Sequence, residues 1–118
     1  MGNVTKEIKW QGSSLNDLRS FPMNVRKKAG YALEQAQNGL QPSTWKSINE
    51  WGSGVVEIKI GAEAGTFRVV YVAKFEDAIY VLHCFQKKDQ RTPHRDIEII
   101  KTRYNGVIEE RNRRKHER

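Results

Sequence analysis

Three stretches in the second half of the chain carry the clearest pattern of hydrophobic and polar positions. They read VVEIKI at 55–60, TFRVVYVA at 66–73 and AIYVLHCFQ at 78–86. Their alternation and their β-branched and aromatic residues are typical of strands. Only the short segments GAEAG and KFED separate them. Because loops this short join antiparallel neighbours, the sequence predicts a three-stranded antiparallel meander.

The residues before the meander predict one strand and two helices. Alternation over residues 4–10 indicates a strand with one solvated face. A brief helical segment that ends before Pro22 and a second helix that ends at Gly39 predict an αα-hairpin. Residues 40–54 show no regular pattern and are predicted to be irregular. The apolar stripe of the second helix consists of Val25, Ala29, Leu33 and Ala36.

After the meander, Thr92 and Pro93 predict the N-cap and first residue of a C-terminal helix. Its apolar stripe reaches Ile108, and the polar segment 109–118 is predicted to be a basic, flexible tail. This order predicts an α+β fold: an N-terminal strand, an αα-hairpin, a three-stranded antiparallel meander and a C-terminal helix. Residues 1–108 would form a single domain, with the helices on one sheet face and the other face open.

Composition narrows the classes of function. A chain of 118 residues with a net charge of +7 fits one domain with a polyanionic partner, which could be RNA, DNA or an acidic protein surface. Cys84 is the only cysteine and is expected to be a buried hydrophobe. The N-terminus lacks an apolar signal segment, and no apolar stretch reaches the roughly 18 residues of a membrane span. We therefore expect a cytoplasmic protein with no membrane partner. No residues have metal-ligand spacing, so neither a metal nor another cofactor is expected.

Charged residues inside the predicted strands are the candidate chemistry. Glu57 and Lys59 share one face of their strand, and Arg68 interrupts an otherwise apolar strand. A meander makes such positions cross-strand neighbours. The sequence thus predicts a basic patch, although a solvated sheet face with ordinary surface cations would show the same pattern. The predicted patch consists of Lys59, Arg68, Lys87, Lys88 and Arg91.

Histidines are further candidates for proton transfer because they titrate near neutral pH. His83 lies inside a strand and is expected to be a hydrogen-bonded core residue. His94 lies in the first turn of the last helix, where it should be exposed and able to exchange protons.

The segment FRVVYVAKFEDAIYVLHCFQKKDQRTPHRDIEIIKTRY, residues 67–104, resembles the RelE/ParE superfamily of type II toxins, and most closely its phage-related, HigB-like branch. The preceding elements follow the order of the same family. The resemblance implies a RelE-like fold and a toxin that cuts messenger RNA in the ribosomal A site without a metal. It also implies a cognate antitoxin, typically a helix-turn-helix protein, that neutralises the toxin.

The resemblance also implies site residues. Arg68 matches the family's arginine on the central strand, and Lys59 matches a lysine on the preceding strand. Lys87 and Lys88 fall where the family has a basic pair, and His94 is the loosest match. RNA contacts are expected from Lys88, Arg91 and Arg95. At position 57 many ribosome-dependent members carry a base, whereas this chain has a glutamate, which could accept a proton or pair with a cation.

The residue types fit RNA cleavage by the 2′-hydroxyl. Arg68 would stabilise the charge of the transition state, and Lys87 with Lys59 would bind phosphate or transfer protons. The proton acceptor stays open between Glu57, His94 and a lysine whose pKa is lowered by its neighbours. Two alternatives remain: a ParE-like toxin that acts on DNA gyrase, and a phage-derived binding module without enzymatic activity.

Overall fold

The computed structural model describes residues 5–116. The predicted α+β class is confirmed, with the N-terminal strand, two helices, the meander and the C-terminal helix in the expected order. Val4, at the start of the predicted first strand, lies outside the described residues. The elements are β1 (Glu7–Trp10), α1 (Ser14–Arg19), α2 (Met23–Gln37), β2 (Trp45–Ser47), β3 (Val55–Ala62), β4 (Gly65–Val72), β5 (Ala78–Lys87) and α3 (His94–His116).

The described strands form one sheet in the order β1-β5-β4-β3-β2. Strands β3, β4 and β5 are the predicted antiparallel meander, and β1 runs parallel to β5 at one edge. The other edge is β2, which lies in the segment predicted to be irregular. This prediction was wrong for residues 45–47. All three are exposed and too few to show periodicity, so their pairing with β3, rather than their own pattern, makes them a strand.

Helices cover both faces of the sheet, which corrects the prediction of one open face. Helices α1 and α2 pack on the side of Val69 and Tyr71, while α3 packs on the side of Val70 and Val72. These four consecutive residues of β4 are all buried, the pattern of a strand covered on both sides. Helix α3 leaves uncovered the end of its face where Lys59 is exposed.

Helix α3 continues past residue 108 to His116, so the prediction of a flexible tail was wrong for residues 109–116. The reason is Arg111, whose guanidinium donates to the carboxylate of Asp77 and to the hydroxyl of Tyr80, each at 2.9 Å. The same group lies 4.1 Å above the ring of Phe75, a favourable cation–π geometry. Basic residues in the last turn add a favourable interaction with the helix dipole.

Helix α3 is also fixed to the segment between β2 and β3. The hydroxyl of Tyr104 donates to the carbonyl of Ser53 at 2.9 Å. At Gly52, where φ is 150°, an added Cβ would lie 2.7 Å from the Tyr104 ring, so this close approach requires glycine. Across residues 5–116, none of the helices combines the length and the apolar character needed to cross a bilayer.

Candidate functional site

The meander places the strand charges side by side on the part of the sheet that α3 leaves open. Lys59 of β3 lies directly opposite Arg68 of β4, and Thr66 of β4 lies opposite Lys87 of β5. Side chains opposite each other in an antiparallel pair have Cβ atoms about 5 Å apart. The structure thus brings Lys59, Arg68 and Lys87 together, as the strand pattern predicted.

A buried ion pair lies beneath these lysines. Arg68 donates from Nη1 to Oε1 of Glu57 at 3.0 Å, and the two side chains are only 13% and 5% exposed. The second carboxylate oxygen of Glu57 and the Nε of Arg68 are buried and have no hydrogen-bond partner among residues 5–116. Because the pair is largely excluded from water, it fixes the guanidinium more firmly than a surface ion pair would.

Around the exposed end of Arg68 lies an open pocket of 390 Å³. Four cationic side chains and a single carboxylate, that of Asp89, contribute to its wall. Such an excess of positive charge favours an anion with several acceptor oxygens, such as a phosphodiester. The lining residues are Lys59, Thr66, Arg68, Lys87, Lys88, Asp89 and Gln90.

The environment of Lys87 lowers the pKa of its ammonium below the usual lysine range. Partial burial is the largest cause, and the positive charge of Arg68 is the next. The carboxylate of Glu57 acts in the opposite direction, while Lys46 and Lys59 lower the pKa further. Since a lower pKa raises the fraction of neutral amine at a given pH, Lys87 is better suited to proton transfer than an ordinary surface lysine.

Besides Glu57, which is buried beside Arg68, three predicted site residues do not line this pocket. His94 is 85% exposed, and its Nε2 lies 3.4 Å from Glu98 of the next helical turn. Arg91 is exposed in the loop before α3. Arg95 lines a different depression, between α1 and α3. The catalytic role of His94 and the RNA-binding roles of Arg91 and Arg95 stay predictions.

His83 and Cys84 lie in the interior, as expected. The Nε2 of His83 is 2.7 Å from Oδ1 of Asp96, which attaches β5 to the first turn of α3. Burial raises the pKa of the Cys84 thiol to about 12, so the thiolate that nucleophilic catalysis needs is scarce at neutral pH. Among the residues that the structure describes, no group of three His, Cys, Asp or Glu side chains is arranged to hold a metal ion.

One cation was missed by sequence reasoning. Lys46 of β2 lies opposite Glu57 in the ladder with β3, which places it on the same sheet face as the pocket. Its charge acts on Lys87. A three-residue exposed strand gives no periodic signal, so this residue could be placed only once the register with β3 was known.

Comparison with known proteins gives a family match. The model of the family described as "Phage derived protein Gp49-like (DUF891)" matches residues 16–105. Among solved structures, the crystal structure of the toxin–antitoxin complex RelBE2 from Mycobacterium tuberculosis contains a chain that is similar with a TM-score of 0.47 and 16% identity. The similarity covers 75% of this chain and 98% of that chain. No curated protein matches the sequence.

Proposed function

The chain belongs to the phage-derived Gp49-like family, a RelE/HigB-like family of toxins, and we propose that it is the toxin of a type II toxin–antitoxin system that cuts messenger RNA on the ribosome. The observation that carries this proposal is the open pocket formed around Arg68 by Lys59 and Lys87, above the buried carboxylate of Glu57. This arrangement supplies phosphate binding, charge stabilisation and a lysine with a lowered pKa within one site.

The reaction that these groups support is attack by a ribose 2′-hydroxyl on the adjacent phosphate. The 2′ oxygen forms a bond to phosphorus, and the bond from phosphorus to the 5′ oxygen breaks. One proton leaves the 2′-hydroxyl and another is delivered to the departing 5′ oxygen. Extra negative charge develops on the phosphate oxygens, and preorganised cationic donors lower the barrier most at this point.

Arg68 is assigned the stabilisation of that charge. A guanidinium stays protonated and offers paired donors to phosphate oxygens. The ion pair with Glu57 holds the group in place before RNA binds, so little reorganisation is needed in the transition state. Lys59, directly opposite on β3, is assigned the binding of the phosphate.

Lys87 is assigned the proton transfer. Glu57 is less suited to accept the 2′ proton because its side chain is 5% exposed and one of its oxygens accepts from Arg68. His94 is accessible but does not line the pocket. The lowered pKa of Lys87, caused by burial and by Arg68, makes it the candidate that combines access with a suitable proton affinity.

The proposal includes partners. A cognate antitoxin of the helix-turn-helix type would neutralise the protein, and the ribosome would present the messenger RNA, in the cytoplasm. The excess of basic residues, with a net charge of +7, fits contact with ribosomal RNA and with an acidic antitoxin surface.

A translation reaction with purified ribosomes tests the proposal. We expect added protein to produce messenger RNA breaks at fixed positions within codons, with 2′,3′-cyclic phosphate ends and without dependence on added metal beyond what the ribosome requires. Intact messenger RNA together with gyrase-linked DNA breaks would instead support the ParE-like alternative. Intact RNA and DNA, with no arrest of growth on expression, would support a binding module.

A further inference from the structure

Four consecutive strands each present one cation on the same sheet face. Lys46 comes from β2, Lys59 from β3, Arg68 from β4 and Lys87 from β5. Three of the four line the pocket described above. The fourth, Lys46, lies beyond it at the edge of the sheet and has no role in the proposed reaction.

The strand registers fix the direction of this row. Lys46 lies level with Glu57, Lys59 and Arg68 lie two residues further along, and Lys87 lies two residues beyond them, opposite Thr66. With strands about 4.8 Å apart and a rise of about 3.4 Å per residue, the row runs diagonally over roughly 20 Å. This length exceeds what one phosphate can occupy.

Lys46 is free to bind an anion. It is exposed, and within residues 5–116 its ammonium makes no ion pair. Strand β2, which carries Lys46, contributes no buried residue to the core. It is fixed to β3 by Thr44, the residue before β2, whose hydroxyl donates to the carbonyl of Lys59 at 2.6 Å. The edge strand therefore holds Lys46 in register with the pocket rather than adding to the core.

We propose that the backbone of single-stranded RNA crosses the sheet diagonally from Lys87 to Lys46, and that Lys46 binds a phosphate other than the one that is cleaved. The choice of RNA as ligand rests on the proposed function. The row defines a track of cations, Lys87, Arg68, Lys59 and Lys46, in which the first three surround the cleaved phosphate and the last holds a flanking nucleotide.

The salt dependence of RNA binding tests this track. Each phosphate contact to a single strand contributes about −0.7 to the slope of log K against log salt concentration. Because the track contacts two phosphates, the cleaved one and the flanking one, the wild-type protein should show a slope of about −1.4, and Lys46→Gln a slope of about −0.7. The probe is a labelled single-stranded RNA whose 2′-hydroxyls are methylated, so that binding is measured without cleavage.

Two variants serve as matched controls. Arg19→Gln removes the same charge from an exposed position of α1, which packs on the opposite sheet face, and its slope should equal that of the wild type. Lys46→Arg keeps the charge and should restore the wild-type slope. Because Arg19 and Lys46 are exposed, all three variants should keep the wild-type unfolding temperature.

The possible outcomes separate the two proposals. A Lys46→Gln slope equal to that of the wild type overturns the role of Lys46, whether or not the protein cuts RNA. The expected change in slope, together with intact messenger RNA in the ribosome assay, upholds the track and overturns the nuclease. A wild-type protein that does not bind the methylated RNA overturns the track.

Discussion

Replacing Glu57 by glutamine distinguishes two roles of its carboxylate. The carboxylate could be the ion-pair partner of Arg68, or it could be the acceptor of the 2′-hydroxyl proton. In the structure the Glu57 carboxylate accepts from Arg68 at 3.0 Å, and both side chains are largely buried. Removing one partner of a buried ion pair typically costs about 3–5 kcal/mol. Because Arg68 borders the open pocket and a glutamine side chain can still accept one hydrogen bond, we expect Glu57→Gln to lower the free energy of unfolding by about 3 kcal/mol. This corresponds to a fall of about 12 °C in Tm for a domain of this size.

The pH dependence of cleavage carries the functional part of this prediction. If Lys87 accepts the proton in its neutral form, the rate rises with pH up to the pKa of Lys87, which burial and the charge of Arg68 hold below 10.5. The Glu57 carboxylate raises this pKa. Its neutralisation in Glu57→Gln therefore lowers the pKa further, and the rising part of the pH–rate profile should move to lower pH.

The assay measures ribosome-dependent cleavage in single-turnover conditions between neutral pH and the upper limit of ribosome stability, at a temperature well below the Tm of the variant. Glu34→Gln is the matched control, because Glu34 is an exposed carboxylate on α2, on the opposite sheet face. It should change neither the Tm nor the profile. Because a loosened Arg68 also lowers the rate at every pH, the shape of the profile decides between the two roles. If Glu57 is itself the proton acceptor, Glu57→Gln should lose about 10²–10⁴-fold in rate and the rising part of the profile should disappear rather than move, and this result would refute the assignment of Lys87.

Three further substitutions give independent tests. Arg68→Ala should reduce the rate of cleavage about 100-fold or more, on the scale of losing one preorganised donor to the transition state. Wild-type rates in a folded Arg68→Ala sample would contradict the catalytic role of Arg68. His94→Ala should leave the rate and pH profile unchanged because the side chain is 85% exposed and does not line the pocket; a shifted or flattened profile would return His94 to the list of proton acceptors. Arg111→Ala should lower the free energy of unfolding by about 1–2 kcal/mol and increase amide hydrogen exchange in residues 109–116, while cleavage stays at the wild-type level; unchanged exchange would contradict the role of Arg111 in anchoring α3.

Much of the fold could be predicted because the strands and helices carry their own patterns. The meander follows from three apolar runs joined by short loops, which makes Lys59 and Arg68 neighbours on adjacent strands. Their direct pairing depends on the tight turn at residues 63–64, where Ala62 pairs with Gly65. Lys87 follows because it ends the last strand. These positions depend on local periodicity and on short connections, which a sequence displays directly.

The features that were mispredicted depend on contacts between distant segments. Strand β2 forms only against β3, and its residues are exposed, so Lys46 carried no signal. The last turns of α3 look like a charged tail until Arg111 meets Asp77 and Tyr80, which lie more than 30 residues earlier in the chain. The run of consecutive apolar residues in β4, all of them buried, does indicate that both faces of the sheet are covered by other elements. This pattern predicts that a helix packs on the second face, where α3 lies.

The buried carboxylate explains how a strongly cationic pocket can hold a fixed arginine, and it also limits how far the pKa of the neighbouring Lys87 falls. Without Glu57, Arg68 would be partly buried with no counter-charge, which is costly. With Glu57 present, the same negative charge raises the pKa of Lys87, and Arg68, Lys46 and Lys59 act against it. The proton affinity of Lys87 is therefore set by the balance between one buried anion and three cations. Each cation that RNA phosphates neutralise shifts this balance toward a higher pKa, so we expect substrate binding to raise the pKa of Lys87 relative to the free protein, and the apparent pKa from kcat to exceed that from kcat/KM. Equal values from the two profiles would show that the phosphates do not approach these cations.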